Sequence, residues 1–334
     1  MGVGSQLHTG LAQARARHAL EAAGLDASVP LERMSSVTNE VWLSPDVAVR
    51  VNRRLDQRLW REAQLGPQLP EAVHYPEILG YGTGSGFDWL VARRRPGRVL
   101  SRCWPTMTPT ERRRAITHLA AMLQVLHRTP CPPALCDLPD VPQLISPGSD
   151  PMVDLLEALE RATNLEHVDR ALIASIATFV HDAEPLVRTF DVDTLVHGDL
   201  TFENVLWDGE AVSALIDFEW SRAAPRDLDL DVLLRFCAYP FLHVAADYED
   251  QTKAQDYQDV PFWLREDYPL LFDAPRALDR VRLFGIAFDV RELLANPPEH
   301  GVHELSEHHP LRRLGRLAAG TSHLDALAEG IASS

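Results

Sequence analysis

The stretch LVHGDLTFENVLWDGEAVSALIDFEW, residues 195–220, decides the fold of this 334-residue chain. Asp199 and Asn204 lie five residues apart on a predicted loop between two short apolar runs. An Asp-Gly pair, typical of hairpin turns, then sends the chain back toward that loop, where Asp217 follows the second run. The pattern therefore predicts that two carboxylates and one carboxamide converge.

Oxygen ligands of this kind suit Mg²⁺, which takes one or two protein oxygens and fills its other positions with water and nucleotide phosphates. Phosphoryl transfer needs such an arrangement, because a metal ion neutralises the phosphate oxygens while a separate carboxylate deprotonates the attacking hydroxyl. The segment thus indicates phosphoryl transfer with Mg²⁺ as cofactor and ATP or GTP as co-substrate.

The segments HGDLTFEN (197–204) and IDFEW (216–220) resemble the catalytic loop and metal-binding segment of the aminoglycoside phosphotransferase and choline kinase-like family of small-molecule kinases. The resemblance implies that Asp199 is the catalytic base and that Asn204 and Asp217 are metal ligands. His197, in this comparison, mainly shapes the loop.

The same resemblance implies an α+β, bilobal protein-kinase-like fold. Its N-lobe is a small antiparallel sheet with one packed helix, and its C-lobe is larger and mainly helical. Hydrophobic patterns agree with this order: they predict helices over 7–24 and 55–69, a hairpin over 34–43 and 47–51, and a strand over 88–94. We expect a nucleotide-binding N-lobe over 1–97 and a catalytic and substrate-binding C-lobe over 98–334.

The second half begins with the clearest helix signal of the chain. Thr108 and Glu111 form a capping box with Pro109 at the first helical position. A loop rich in Pro, Asp and Ser follows over 130–151, and then a helical region over about 152–188. After the metal segment, Asp227 or Asp229 is expected to cap the next helix and brace the catalytic loop.

Arg50 lies in a β-run where kinases place the lysine that contacts the α- and β-phosphates, and Glu62 lies where the ion-pair partner of that lysine would be. The chain has only one lysine, Lys253, so arginine must take this role. A guanidinium can hold phosphate through two hydrogen bonds at once.

Other nucleotide contacts are expected at two segments. Ser35 and Ser36 lie where kinases have a glycine-rich loop, and their hydroxyl or backbone groups could donate to phosphates. LVARRRPG (90–97) resembles the hinge of the family, whose backbone at Arg93 and Arg95 would meet the base.

The charge of the chain restricts its partners. The net charge is −16, which argues against nucleic acid, and no apolar run approaches the roughly 18 residues that a membrane helix needs. Residues 1–97 carry a net +1 and residues 98–334 a net −17. This acidic half would attract a cationic small molecule, or it serves solubility alone. Without a secretory signal pattern, a cytoplasmic location is expected.

Candidate acceptor contacts are acids of the C-lobe that lie near aromatic residues. They are Glu219, which replaces the glycine of the protein-kinase metal segment, and Asp247, Glu249 and Asp250 of the stretch AADYEDQ. Acids interleaved with rings could hold an ammonium-bearing or sugar-like ligand.

The leading hypothesis is a kinase that phosphorylates a hydroxyl of an aminoglycoside-type antibiotic or another aminated sugar, and thereby gives antibiotic resistance. One alternative is a housekeeping metabolite kinase for choline, an amino alcohol, homoserine or a sugar. Another, of a different class, is a nucleotide-binding pseudokinase with a regulatory role.

Overall fold

The structure is a computed structural model that describes residues 3–84, 86–136, 144–145, 150–187 and 194–332. The predicted loop over 130–151 therefore lies partly outside the described residues. Within the described ranges, no helix combines the length and the apolar character needed to span a membrane.

The N-lobe contains a five-stranded antiparallel sheet in the order β1-β2-β3-β5-β4. Its strands are β1 (Glu32–Met34), β2 (Glu40–Leu43), β3 (Val47–Asn52), β4 (Ile78–Gly84) and β5 (Phe87–Arg93). The predicted hairpin corresponds to β2 and β3, but residues 35–39 form a loop instead of extending the first strand. Two helices accompany the sheet, α1 (Val3–Ala22) and α2 (Arg58–Leu65), close to the predicted positions.

Alternation along β3 decides which side chain faces the cleft between the lobes. Val47, Val49 and Val51 are buried in the cluster that packs against α1. Since successive side chains of a strand point to opposite faces, Arg50 faces the other side, where Leu59 of α2 packs on the sheet. The sheet therefore directs one arginine toward α2 and the C-lobe.

Strand β4 has no counterpart among the predicted elements. Its sequence, ILGYGTG, contains three glycines, which are depleted in strands. A Cβ at Gly82 would lie 2.5 Å from the ring of Trp89, and one at Gly84 would overlap the ring of Phe87. These glycines leave room for two aromatic rings of β5. This packing requirement involves residues outside β4, so the sequence of β4 alone could not predict the strand.

The C-lobe begins where the chain leaves the large sheet. Its strands are β6 (Arg98–Val99), β7 (Leu195–Val196), β8 (Val205–Trp207), β9 (Val212–Leu215) and β10 (Arg222–Ala223). They form a three-stranded sheet in the order β6-β8-β9 and a two-stranded pair of β7 with β10. The predicted hairpin around residue 208 is the β8–β9 pair.

Helices make up most of the described C-lobe. They are α3 (Leu100–Cys103), α4 (Pro109–Leu126), α5 (Pro133–Cys136), α6 (Val153–Thr163), α7 (Arg170–Ala183), α8 (Asp227–Ala238), α9 (Val260–Asp267), α10 (Ala277–Ala295), α11 (Pro310–Ala318) and α12 (His323–Ala332). The α+β, bilobal architecture agrees with the predicted fold class.

The capping box of α4 is confirmed. The Thr108 hydroxyl accepts from the Glu111 amide at 3.3 Å, and the Glu111 carboxylate accepts from the Thr108 amide at 2.7 Å. The helix then buries Ile116, Leu119 and Leu123 in the main C-lobe core.

An aromatic cluster of that core supports the segment 197–204 from below. The ring of Phe202 is fully buried, with its centroid 4.8 Å from Trp104, 5.1 Å from Phe236 and 5.6 Å from Tyr257. The indole nitrogen of Trp104 donates to the Asp256 carbonyl at 2.7 Å, so even the polar atom of this ring is satisfied. Phe202 thus fixes the loop to the C-lobe.

Thr108→Ala should lower the free energy of unfolding by about 1 kcal/mol, because it removes the cap of α4. Denaturant titration followed by circular dichroism measures this loss. Thr110→Ala, two residues into the same helix and exposed, is the matched control and should change stability by less than about 0.5 kcal/mol. Equal effects of the two substitutions would contradict a stabilising cap.

Candidate active site

The loop that carries Asp199 is held by one buried carboxylate. Asp229 of α8 accepts from the amides of His197 and Gly198, each at 2.8 Å. Burial by itself raises the pKa of Asp229. The hydrogen bond and charge of His127, together with the charge of His197 and the hydrogen bond from the Gly198 amide, lower this pKa below its usual value. Of the two aspartates expected to brace this loop, Asp229 has that contact.

Gly198 is required by the backbone at this point. Its φ of +82° lies in the left-handed region, and a Cβ there would collide with the carbonyl oxygen of Trp220. The loop and the segment after Asp217 therefore approach each other closely.

His197 also joins these two segments. Its Nε2 lies 2.9 Å from the Ile216 carbonyl and therefore donates to it, which leaves Nδ1 to accept from the Asp199 amide at 3.3 Å. The geometry agrees with a histidine that shapes the loop.

Asn204 lies beside Asp199. Its amide nitrogen donates to the Asp199 carbonyl at 2.7 Å and is 3.3 Å from the Asp199 carboxylate. Because the nitrogen is used in this way, the Asn204 amide oxygen points elsewhere and is left to accept or to ligate. The Ile216 amide donates to the Asn204 carbonyl at 3.0 Å, which brings Asp217 next to this group.

Asp199, Asn204 and Asp217 all line one cavity of about 940 Å³ between the lobes. Asp217 has a left-handed backbone, with φ of +67°, directly before a short 3₁₀ turn. Burial raises the pKa of Asp217, Arg50 opposes this, and the nearby charges of Glu62 and Asp199 add to it. The three predicted residues are thus close in space.

Arg50 reaches this group from the N-lobe. It forms ion pairs with Glu62 of α2, with Asp217, and with Glu219 at 2.8 Å. Burial lowers the pKa of Arg50, but the charges of the three carboxylates raise it well above the usual value, so the guanidinium stays charged. Glu62 in turn accepts from the Tyr75 hydroxyl at 2.7 Å.

Glu219 lies in this network and is not among the residues that line the cavity. Its carboxylate accepts from Asn39 at 2.9 Å, from Arg50 and from Arg58 at 3.1 Å. Burial and the neighbouring Asp217 raise the pKa of Glu219 to about 7. Its predicted contact with an acceptor stays a prediction, and its observed contacts join the metal segment to the N-lobe.

The donor set fits a divalent cation. The Asn204 amide oxygen and the second carboxylate oxygen of Asp217 are hard ligands on the cavity wall. Glu62 and Glu219 also have carboxylate oxygens within 4.8 Å of those of Asp217. Both carboxylate oxygens of Glu62 and of Glu219 accept hydrogen bonds, whereas among the described residues only one oxygen of Asp217 does. Asn204 and Asp217 therefore stay the predicted Mg²⁺ ligands.

The remaining nucleotide candidates also line the cavity. Ser35 and Ser36 belong to the loop between β1 and β2, where the Ser36 hydroxyl donates to the Asn39 carbonyl. The backbone amide of Arg93 donates to the backbone carbonyl of Glu77 at 2.8 Å. A nucleotide base would therefore have to contact other backbone atoms of this segment. The Arg95 guanidinium donates to the backbone carbonyl of Ser213 at 3.2 Å. Their nucleotide contacts stay predictions.

On the acceptor side, Asp247 lines the cavity and pairs with Arg102 at 3.1 Å. Glu249 and Asp250 are exposed and are not part of the lining, so their predicted substrate contacts have no support in this geometry. Residues that the sequence reasoning missed include Asp231 and Arg235 of α8, an i,i+4 pair. Their helical spacing was the available signal.

Asp229→Ala should lower the free energy of unfolding by about 3 kcal/mol, since two buried amides lose their acceptor. Because the pKa of Asp229 is lowered on folding, this difference from wild type should be present above pH 3.8 and shrink as pH falls below it. Urea titrations at several pH values measure it. The exposed control Glu157→Ala should show neither effect, and a difference that grows in acid would contradict the assignment.

Comparison with known proteins gives one sequence family. Residues 34–263 match the sequence model of the phosphotransferase enzyme family, APH. No curated protein sequence matches the chain significantly.

Comparison with solved structures gives the fold. The GDP complex of aminoglycoside 2'-phosphotransferase-IIIa is similar, with a TM-score of 0.64 at 16% identity over 95% of this chain and 99% of that chain. ADP-bound APH(2'')-Ib has a TM-score of 0.60 at 15% identity over 89% and 95%. A thermostable mutant of APH(4)-Ia in ternary complex with ADP and hygromycin B has 0.54 at 16% over 94% and 95%.

Proposed function

Since the chain belongs to the phosphotransferase enzyme family and is a small-molecule phosphotransferase, we propose that it transfers the γ-phosphoryl group of ATP or GTP to a hydroxyl. The observation that carries the proposal is the shared cavity that Asp199, Asn204, Asp217 and Arg50 line. We set the lobe boundary after residue 97, because β6 begins the chain's pairing with C-lobe strand β8.

Asp199 is the proposed base. It is half-buried on the lining of the cavity, and the Asn204 amide next to its carboxylate limits its rotation. In this position the carboxylate would accept a hydrogen bond from the acceptor hydroxyl and then its proton as the oxygen attacks the γ-phosphorus.

Arg50 is the proposed phosphate-binding residue. Its planar guanidinium carries a permanent charge and lies on the N-lobe side of the cavity, held by Glu62. It would orient the phosphate chain of the nucleotide relative to the hydroxyl held by Asp199.

Asn204 and Asp217 would hold Mg²⁺ through their side-chain oxygens. When bound, Mg²⁺ supplies neutralisation of the charge on the phosphate oxygens. The protein contributes the fixed spacing of these ligands, because the Ile216–Asn204 hydrogen bond and His197 join their two segments.

For the acceptor, an aminoglycoside-type antibiotic or another aminated sugar is one candidate, supported by a neighbour whose structure contains hygromycin B. The cavity, of about 940 Å³, is large enough for a sugar-sized acceptor beside a nucleotide. A metabolite kinase is the second candidate, favoured by the arginines that line the C-lobe side of the cavity.

Asp199→Asn should lower kcat about 10²- to 10⁴-fold without changing nucleotide affinity, since it removes the proton acceptor and keeps the shape. Transfer of labelled γ-phosphate from ATP or GTP to an acceptor panel measures kcat, and calorimetry measures nucleotide affinity. Glu210→Gln, an exposed acid on the β8–β9 turn, is the control and should retain full activity. Near wild-type turnover by the Asp199 variant would refute the proposal.

Arg50→Ala should raise the KM for the nucleotide at least tenfold, because a phosphate-binding charge is lost. Arg50→Lys should be intermediate, as it keeps the charge and loses the fork. The exposed Arg54→Ala, four residues away, is the matched control. An unchanged KM in folded Arg50→Ala, with folding checked by thermal unfolding, would show that Arg50 does not contact the phosphates.

A further inference from the structure

The C-lobe side of the cavity carries several arginines. We name as the acceptor wall the lining residues of α8, of α10 and of the segment 220–225. This wall includes Arg222, Arg235 and Arg291. Arginine in a concave site is the side chain best suited to bind a planar or tetrahedral anion.

The acids around this wall already face positive partners. Asp231 lies 2.7 Å from Arg235, and Glu292 lies 3.6 Å from Arg291. At the edge of the wall, Asp247 pairs with Arg102. The negative charge of each of these three carboxylates is therefore already partly neutralised by an arginine, although one oxygen of Asp231 has no hydrogen-bond partner among the described residues.

Glu203 is a further acid that lines the cavity close to this edge. It accepts from the Ser101 hydroxyl, and its burial raises its pKa. Within the described part of the chain, Asp199 lines the cavity without an ion pair to arginine at contact distance and without such a hydroxyl contact.

The guanidinium of Arg235 is held in a fixed position, and one of its nitrogens has no hydrogen-bond acceptor among the described residues. It is 6% exposed, and its guanidinium carbon lies 3.7 Å from the ring centroid of Phe288. Its Nε has no hydrogen-bond partner among the described residues. A buried charged donor without a partner is costly, so it indicates a group that completes the site.

Arg291 brings a second positive charge to the same ring. Its guanidinium carbon lies 5.2 Å from the Phe288 centroid, on the helix that faces α8. Burial and the charge of Arg235 lower the pKa of Arg291, whereas the charges of Glu292 and Asp199 oppose this. The two positive charges therefore repel each other, and Arg291 also lies within electrostatic reach of Asp199.

We propose that the acceptor carries an anionic group, a carboxylate or a phosphate, which Arg235 and Arg291 bind while the acceptor hydroxyl faces Asp199. This inference rests on the proposed phosphotransfer. An anion between the two guanidinium groups removes their repulsion and supplies an acceptor for Arg235. A zwitterion such as a hydroxylated amino acid satisfies this requirement, whereas a purely cationic sugar does not.

Matched acceptor pairs test the charge requirement. Serine with ethanolamine, homoserine with 3-aminopropan-1-ol, and gluconate with glucitol differ within each pair in the carboxylate. With Mg²⁺ and ATP or GTP, kcat/KM should be at least tenfold higher for the carboxylate member of any pair that is used. Preference for the uncharged or amine member, or turnover of kanamycin or hygromycin B above all carboxylates, would overturn the inference.

A binding test does not need the natural acceptor. With the nucleotide site filled by Mg²⁺ and a non-hydrolysable ATP analogue, inorganic phosphate or glycerate at millimolar concentration should raise the unfolding temperature. Phosphate and glycerate are compared to distinguish a phosphate-type from a carboxylate-type group. Absence of any shift with both probes would overturn the inference.

Variants separate this site from a general effect of charge. Arg291→Gln should weaken phosphate or glycerate binding at least tenfold and raise the KM for an anionic acceptor similarly, with kcat and nucleotide KM within twofold. Arg291→Lys should recover part of the loss. Arg170→Gln, at the exposed start of α7, is the matched control. Equal behaviour of the Arg291 and Arg170 variants would refute the assignment.

The outcomes also distinguish the two proposals. If folded wild type binds nucleotide but Asp199→Asn transfers phosphate as well as wild type, the proposed catalytic function fails. If Asp199→Asn is inactive but neutral or cationic acceptors are preferred and Arg291→Gln behaves as wild type, only the anionic acceptor is refuted.

Discussion

The charge of Arg50 is the constraint on which the cleft depends. Three carboxylates, from Glu62, Asp217 and Glu219, surround a guanidinium that strand alternation directs into the cleft between the lobes. Without the cation these acids would repel one another in a region of low dielectric, and without the acids the cation would be costly to bury. Removing one partner of such a pair commonly costs about 3–5 kcal/mol. The network therefore both positions Asp217, the proposed metal ligand, and joins the lobes.

The C-lobe provides a separate support for the reacting groups. Asp229 fixes the backbone around His197 and Gly198 from one side, while the ring of Phe202 is buried in the aromatic core on the other. Asp199 lies between these two supports. A site needs its groups held to a fraction of an ångström, which a loop achieves only when its neighbours are locked by packing and hydrogen bonds. Here the loop that carries Asp199 lines the cavity, and the buried side chains of Asp229 and Phe202 hold it in place.

Most of the features that could be predicted from the sequence depend on residues a few positions apart. The capping box at Thr108, the hairpin around residue 208 and the clustering of Asp199 with Asn204 depend on short spacings, and all three occur in the structure. Contacts between distant residues could not be read in this way. The hydrogen bond from Asn39 to Glu219 spans 180 residues, and the glycines of β4 make sense only beside the rings of β5.

The acceptor side shows why net charge is a weak guide to a buried wall. The C-lobe carries a net −17, yet its cavity wall contains three arginines, and three of the acids near them, Asp231, Asp247 and Glu292, are already paired with arginine. Exposed charges are screened within about 8–10 Å at physiological salt, whereas a charge on the wall acts on a ligand at contact distance with little screening. The few charges nearest to the ligand therefore determine what it must carry. The net charge of the lobe counts every surface acid equally with Arg235. It therefore cannot predict the sign of the charge that the ligand carries.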